Sequence, residues 1–251
     1  MGKCISYRAV HGFAEVAAGD DLAALLVAAL PDAANNDVLV VAQKIVSKAE
    51  DRSVDLNAVS PSARAQELAG LTGKDPRLVE LILAESSEVL RAQPGVLIVR
   101  HRLGYVMATA GIDRSNVPSA AGEERVLLLP LDADASAAAL RQALRNRLGV
   151  DLGVIISDSF GRPWRNGVVN VALGAAGLPS LIDRRGEPDR FGRGMEVTQV
   201  ALADALAAAA GLVMGEGAEG VPAVLVHGLE WSAPDRPAQA LIRPLAEDLF
   251  R

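Results

Sequence analysis

Residues 152–174 read LGVIISDSFGRPWRNGVVNVALG, and the fold turns on how this stretch is parsed. Leu152, Val154, Ile155 and Ile156 form a short apolar run bounded by Gly149 and Ser157, which predicts a buried strand over 152–156. Ser157, Asp158 and Ser159 follow, then Phe160-Gly161-Arg162-Pro163-Trp164-Arg165. Acid, hydroxyls, glycine and two arginines directly after a buried strand mark the address where open α/β sheets bind ligands, beyond the carboxyl ends of their strands. The same residues also read as a plain polar turn, with Gly161-Arg162-Pro163 as the turn and Trp164 as partial core. Residues 168–173 predict the strand that partners the region of Val154.

Working outward, 132–147 has the period of an amphipathic helix with Ala139, Leu140, Ala143, Leu144 and Leu148 on one side. Residues 38–42 predict a second buried strand. Gln43, Lys44 and Lys48 come straight after it, and the two lysines share a face if the segment is helical. They read either as phosphate contacts or as a solvated strand end. A helix over 22–30 is capped by Asp20 or Asp21 and ended by Pro31. Two short helices are predicted over 61–71 and 76–84, each with proline near its first turn and the first closed by Gly70 or Gly73. Strands are predicted over 96–99, 105–109 and 126–129. The second empties into Gly111-Ile112-Asp113-Arg114-Ser115-Asn116, another strand end rich in acid, hydroxyl and amide groups. Downstream, 178–193 reads as a polar loop and 196–213 as an alanine-rich helix. A glycine-rich turn over 214–221 leads into a strand over 223–227. Strands and helices are mixed without strict alternation, which predicts a mixed α/β or α+β fold, and the length allows one large domain or two small ones.

The chain has 251 residues, half of them hydrophobic, enough for a large core. A net charge of −6 disfavours nucleic acid and anionic membrane as partners. Cys4 is the single cysteine, which excludes an intramolecular disulfide and a cysteine-rich zinc site. No secretory pattern follows Lys3, and no window reaches the roughly 18 apolar residues of a membrane helix. A soluble, cytoplasmic protein is the expectation. Heavy alanine use with 3% aromatic residues predicts helices packed closely through small side chains.

The sequence contains no GxxxxGKS/T, HExxH or GxSxG motif, and His11, His101 and His227 are dispersed. Gly215, Gly217 and Gly220 spell GxGxxG, but after a helix and before a strand, the reverse of the dinucleotide-binding order. What remains is distributed. Asp113 and Asp158 each lie just past an apolar strand, Ser159 is adjacent, and Glu216 sits in the glycine turn. These are hard oxygen donors suited to Mg²⁺ or Mn²⁺. Lys44, Lys48, Arg162, Arg165 and the arginines of 184–193 can contact phosphate or carboxylate, and the glycine turn offers backbone N–H groups. The combination predicts a metal-dependent enzyme acting on anionic substrates, although each acid taken alone also reads as a turn residue or helix cap.

Taken together these segments resemble the coenzyme F-420 γ-glutamyl ligase family. The resemblance is carried by DVLVVAQKIVSKAE at 37–50, VMATAGIDRSNV at 106–117, ISDSFGRPWRNGVVNVALG at 156–174, IDRRGEPDRFGR at 182–193, VTQVALADALAAAAGLVMGEGAEGVP at 197–222 and the closing EDLFR. It implies a ligase that joins L-glutamate to the carboxylate of coenzyme F-420-0 with hydrolysis of GTP, by way of an acyl phosphate, with further γ-linked glutamates possible. Mg²⁺ or Mn²⁺, stimulation by K⁺ and a homodimer are implied as well, as is one mixed α/β (α+β) unit over 1–251 with mixed sheets, flanking helices and two interleaved subdomains. Carried over residue by residue, Asp113, Asp158, Ser159 and Glu216 match metal-binding positions. Phe13, Ala14, Glu15, Val16, Gln43, Lys48 and Asn116 match nucleotide-contacting positions. So do Met214, Gly215, Glu216, Gly217, Ala218, Glu219, Gly220 and Val221. Asp158, Ser159 and Arg162 are the expected catalytic set. Asp113, Asp158 and Glu216 are then expected to converge on one metal site. Several positions depart from the family pattern. Ala14 replaces a common Pro, Gln43 stands where some members have Ser, Ser159 where many have Thr, and Glu216 where some have a metal-binding Gln. Asn166 and Asn170 replace acids expected in some relatives. No flavin and no reductase activity are expected. The alternatives are a related amide ligase or phosphoryl-transfer enzyme acting on another acidic acceptor, and a nucleotide-binding module without turnover.

Overall fold

Val38, Leu39, Val40 and Val41 are all fully buried, so the strand they form must be covered on both faces. That requirement is met by the centre of a five-stranded mixed sheet in a computed structural model that describes residues 4–12 and 14–248. In chain order the first elements are β1 (Ser6–Val10), α1 (Leu22–Ala29), β2 (Val38–Ala42), α2 (Gln43–Ala49) and β3 (Ser53–Asp55). Next come α3 (Ala63–Thr72), α4 (Pro76–Ala84), β4 (Ser86–Gln93), β5 (Val96–His101), β6 (Val106–Ala108) and β7 (Arg125–Leu127). The last are α5 (Ala133–Leu148), β8 (Gly153–Arg162), β9 (Arg165–Ala176), β10 (Leu181–Asp183), β11 (Gln199–Ala201), α6 (Leu202–Met214) and β12 (Ala223–His227).

The main sheet runs β1-β12-β2-β8-β9, with β2 and β8 parallel and every other pair antiparallel. On one face Leu39, Val41, Val154 and Ile156 pack against α1, α2 and α5. On the other, Val38, Val40, Ile155 and Val224 meet Ala203, Leu206, Ala207 and Ala210 of α6. Each fully buried Val or Leu in these layers contributes about 1.5–3 kcal/mol of transfer free energy. The alanine face lets α6 approach closely, as the composition predicted. Gly174 does the same for α5: a Cβ there would lie 2.0 Å from the carbonyl oxygen of Ala133. Asp134, in the first turn of α5, accepts hydrogen bonds from the amides of Ala175 (2.8 Å), Ala238 (2.7 Å) and Gln239 (3.0 Å). It thereby ties β9 and the C-terminal segment to the helix.

The chain between α2 and α5 forms its own layer. The sheet β4-β5-β6 and the β3-β7 pair pack with α3 and α4 around Leu56, Leu68, Val79, Ile82, Leu97 and Val99. A smaller cluster of Tyr105, Met107, Leu129, Ala133 and Leu173 joins that layer to the main sheet. The fold is mixed α+β, as expected. Among the described residues no helix is long and apolar enough to cross a membrane.

Several elements differ from the sequence reading. Helix α3 begins at Ala63 with Ser62 as cap and ends at left-handed Gly73, leaving Pro61 outside and Gly70 within. In α5 the buried stripe is Ala133, Ala137, Leu140 and Leu144, and Ala139 is exposed. The predicted helix over 196–213 starts only at Leu202, because 199–201 pairs with β10 as a strand. Most consequentially, β8 does not stop at Ile156 but runs on to Arg162. The turn is Pro163-Trp164, not Gly161-Arg162-Pro163, and Asp158 lies within the strand.

Candidate active site

The parallel pairing of β2 with β8 ends at Ala42 opposite Ser157. There β2 gives way to α2, while β8 continues in antiparallel pairing with β9. On the far side of β2, the loop over 214–222 descends from α6 towards β12, and the Ala42 amide donates to Pro222 O at 2.8 Å. These segments enclose a cleft of about 450 Å³ over the carboxyl ends of the parallel pair. Side chains alternate along a strand, so Asp158 shares the face of Ile156, towards α2. Ser157 and Ser159 share the face of Ile155, towards α6. The cleft lies where the sheet has run out, and groups from both faces reach it.

Besides Glu15 and Glu219 in its wall, the carboxylates of Asp113, Asp158 and Glu216 stand around it. Asp113 is held by an antiparallel bridge to Leu127, with both backbone bonds at 2.9 Å. Its side chain meets Lys44 Nζ at 3.2 Å and accepts from Ser115 Oγ at 3.1 Å and from Gln43 Nε2 at 3.4 Å. Gln43 is buried and accepts in turn from Ser47 Oγ at 2.9 Å. Glu216 Oε1 accepts from Asn170 Nδ2 at 2.8 Å. Asp158 lies between. Protein atoms crowded around its carboxyl group, then the charge of Asp113 and more weakly that of Glu216, push it up to about 7. The Ser159 amide and Lys44 pull the other way without prevailing. The acids thus share one electrostatic neighbourhood. Yet among the described residues no three His, Cys, Asp or Glu side chains are gathered as a ready-made metal cage.

The cations and the glycine loop complete the wall. Lys44 and Lys48 both lie on α2, which is helical, so they share a face, and both line the cleft. Lys48 is paired with Glu15 on the segment before α1. In the loop, Gly215 ends α6 with a positive φ of 75°, and Gly217 N–H donates to Glu219 at 2.8 Å. Asn116 adopts φ 57°, a left-handed conformation that asparagine tolerates, and lines the opposite rim.

The residues of 12–228 match the family described as F420-0:gamma-glutamyl ligase. The chain belongs to that family. It is similar to the coenzyme F420:L-glutamate ligase of Methanothermobacter thermautotrophicus, 46% identical over 253 residues, which covers 98% of this chain and 99% of that protein. The protein of the same name from Methanopyrus kandleri is 48% identical over 242 residues, 94% of each chain. The one from Natronomonas pharaonis is 48% identical over 246 residues, 96% of this chain and 92% of that one.

Against the positions implied by γ-glutamyl ligase resemblance, the cleft brings together Ala14, Glu15, Val16, Gln43, Lys48, Asn116, Asp158, Ser159 and the whole run from Met214 to Val221. Asp113 stands one contact behind the wall, against Gln43 and Lys44. Arg162 is not among the lining residues. It sits four residues beyond Asp158, beside the β8–β9 turn. Phe13 and the last three residues of EDLFR lie outside the described residues. The sequence reading gave no role to Ser157 or Asn170, both of which line the cleft. Ser157 is 1% exposed and its Oγ has no hydrogen-bond partner. Its position directly before Asp158 was the only available signal. Asn170 stood out only as a departure from the family pattern, and its partner Glu216 is far away in the chain.

Proposed function

We propose that this chain is a GTP-dependent ligase that joins L-glutamate to the carboxylate of coenzyme F-420-0 through an acyl phosphate. The observation that carries this reading is the cleft itself. In a γ-glutamyl ligase family member, it gathers two lysines, a glycine loop and an excess of negative charge at the carboxyl ends of β2 and β8.

The donor set fits a hard divalent cation: carboxylate and hydroxyl oxygens only, with an uncompensated carboxyl at Asp158 whose charge such an ion would offset. Asp113, Asp158, Ser159 and Glu216 would hold Mg²⁺ or Mn²⁺. When bound, the ion offsets charge on the transferred phosphoryl group. Lys44 and Lys48 supply fixed positive charge for the nucleotide phosphates. The amides of the 215–220 loop and Asn116 hold the rest of the nucleotide in place. Arg162, at the open end of β8, offers its guanidinium to a substrate carboxylate. With the partners so oriented, the coenzyme carboxylate attacks the γ-phosphorus and GDP departs. The glutamate amine then displaces inorganic phosphate from the acyl carbon and loses a proton. No side chain has to act as nucleophile.

The test is to incubate the protein with GTP, Mn²⁺, L-glutamate and coenzyme F-420-0 and follow product mass and phosphate release. Added glutamate, with phosphate release that needs both acceptor and glutamate, supports ligation. No mass change under these conditions, or phosphate release without the acceptor, overturns it. Potassium stimulation and a homodimer belong to the same proposal and are read from the same assay and from sedimentation.

A further inference from the structure

Asn170 is only 8% exposed and sits on β9 directly opposite Ser159 in the β8–β9 register. Its Nδ2 reaches across to Glu216 at 2.8 Å. A carboxylate only accepts hydrogen bonds, so the nitrogen end of the amide must face it. Asn170 is therefore the group that touches both the strand carrying Ser159 and the loop carrying Glu216.

The reach depends on a missing side chain. A Cβ at residue 211, within α6, would lie 2.5 Å from Asn170 Nδ2 and 3.1 Å from its Cγ. Gly211 has no left-handed φ that would require glycine. Inside a helix, glycine costs about 1 kcal/mol relative to alanine. The space taken by Asn170 accounts for its presence.

Resting on the reading that this cleft binds a divalent cation and a nucleotide, we propose that Asn170 is a positioning residue that holds the Glu216 carboxylate beside Ser159, in space kept open by Gly211. Without the amide, Glu216 hangs from a loop hinged at Gly215 and is free to swing away from β8.

The experiment titrates Mn²⁺ into the full chain, with and without GDP, and follows the free-ion signal by electron paramagnetic resonance while the unfolding temperature is recorded in parallel. Asn170→Ala is expected to weaken Mn²⁺ binding by about ten- to a hundred-fold, the usual scale for losing a group that orients a metal ligand. Gly211→Ala, outside the cleft wall, should weaken it in the same direction. The double variant should be no worse than Asn170→Ala alone, because a shortened residue 170 gives way to the new methyl. In a Glu216→Ala background, Asn170→Ala should change Mn²⁺ affinity no further. If Asn170→Ala does not fold, Asn170→Ser, neutral and too short to reach Glu216, takes its place. Unchanged Mn²⁺ affinity with only a lowered unfolding temperature overturns the inference, as do additive losses in the Glu216→Ala background. Failure of the wild-type chain to bind Mn²⁺ and GDP removes the functional reading and this inference together, an outcome distinct from either.

Discussion

Lys44 Nζ lies 3.2 Å from the Asp113 carboxylate and 3.0 Å from Ser115 Oγ, so the cation nearest to the acid cluster is already engaged by one of its members. A divalent ion that takes the Asp113 oxygen facing Lys44 displaces that ammonium, which is then free to meet a phosphate oxygen. Lys44→Met separates the two effects. Mn²⁺ affinity of the nucleotide-free protein should rise, while KM for GTP should rise about tenfold, within the 1–3 kcal/mol of a hydrogen bond to a charged group. Titration of Mn²⁺ and steady-state kinetics measure both, and unaltered values for the pair would refute the exchange.

Ser159 is expected to act through its hydroxyl. Ser159→Thr should retain turnover within a few-fold, whereas Ser159→Ala should weaken Mn²⁺ binding. Asp158→Asn should abolish metal-dependent turnover while leaving the circular dichroism spectrum intact, because it removes a charge that the surrounding protein already disfavours. Full activity in Asp158→Asn would remove Asp158 from the site.

Two glycines on the same hairpin should behave oppositely. Gly174→Ala places a methyl 2.0 Å from the Ala133 carbonyl oxygen, a backbone atom that cannot rotate away, and should cost about 3 kcal/mol or prevent folding. Gly161→Ala meets nothing within 4 Å and should stay within about 0.5 kcal/mol of the parent. Urea unfolding of the two variants checks the contrast.

Glu85 provides the pH dependence. Burial pushes its carboxyl up, but His101 together with the charges of Arg52 and Arg102 outweighs burial and holds it at about 2. Arg52 Nη2 is 2.9 Å away and Arg102 Nε 3.3 Å. A carboxyl held below its unfolded value of 4.5 stabilises the chain above that pH, and the contribution fades as pH falls from about 4.5 towards about 2. Glu85→Gln should flatten this segment of the stability curve and cost about 3 kcal/mol near neutrality, since it leaves the two arginines uncompensated. An unchanged acid limb in the variant would assign the loss to other carboxylates.

The parts of this molecule that could be read in advance are those whose cause is local. Val38 to Val41 and Val154 to Ile156 are continuous apolar runs between polar boundaries, and both became buried strands. Asp75 with Pro76 marked the start of α4. Strand β4 escaped because register shifts between Ser86 and Glu88 and between Val89 and Arg91 erase any alternation along it. The continuation of β8 to Arg162 escaped because its cause is β9, whose long antiparallel pairing carries polar residues beyond the apolar run. In the cleft, the acids, lysines and glycine loop were legible as chemistry. Asn170 was legible only as a departure from the family pattern, because its contacts depend on an empty Cβ position at Gly211 and a carboxylate at Glu216.

Strand β12 lies between β1 and β2, so the N-terminal strand has no partner in the sheet until the residues up to His227 exist. The loop that roofs the cleft is joined directly to that same strand. During synthesis, therefore, β1 stays unpaired and the cleft stays open on one side until β12 emerges. The last strand seals the sheet and the pocket in one step. Pairings this distant in sequence are slow to form. The cleft over β2 and β8 thus gains its full wall late and all at once, when β12 joins β1 to β2.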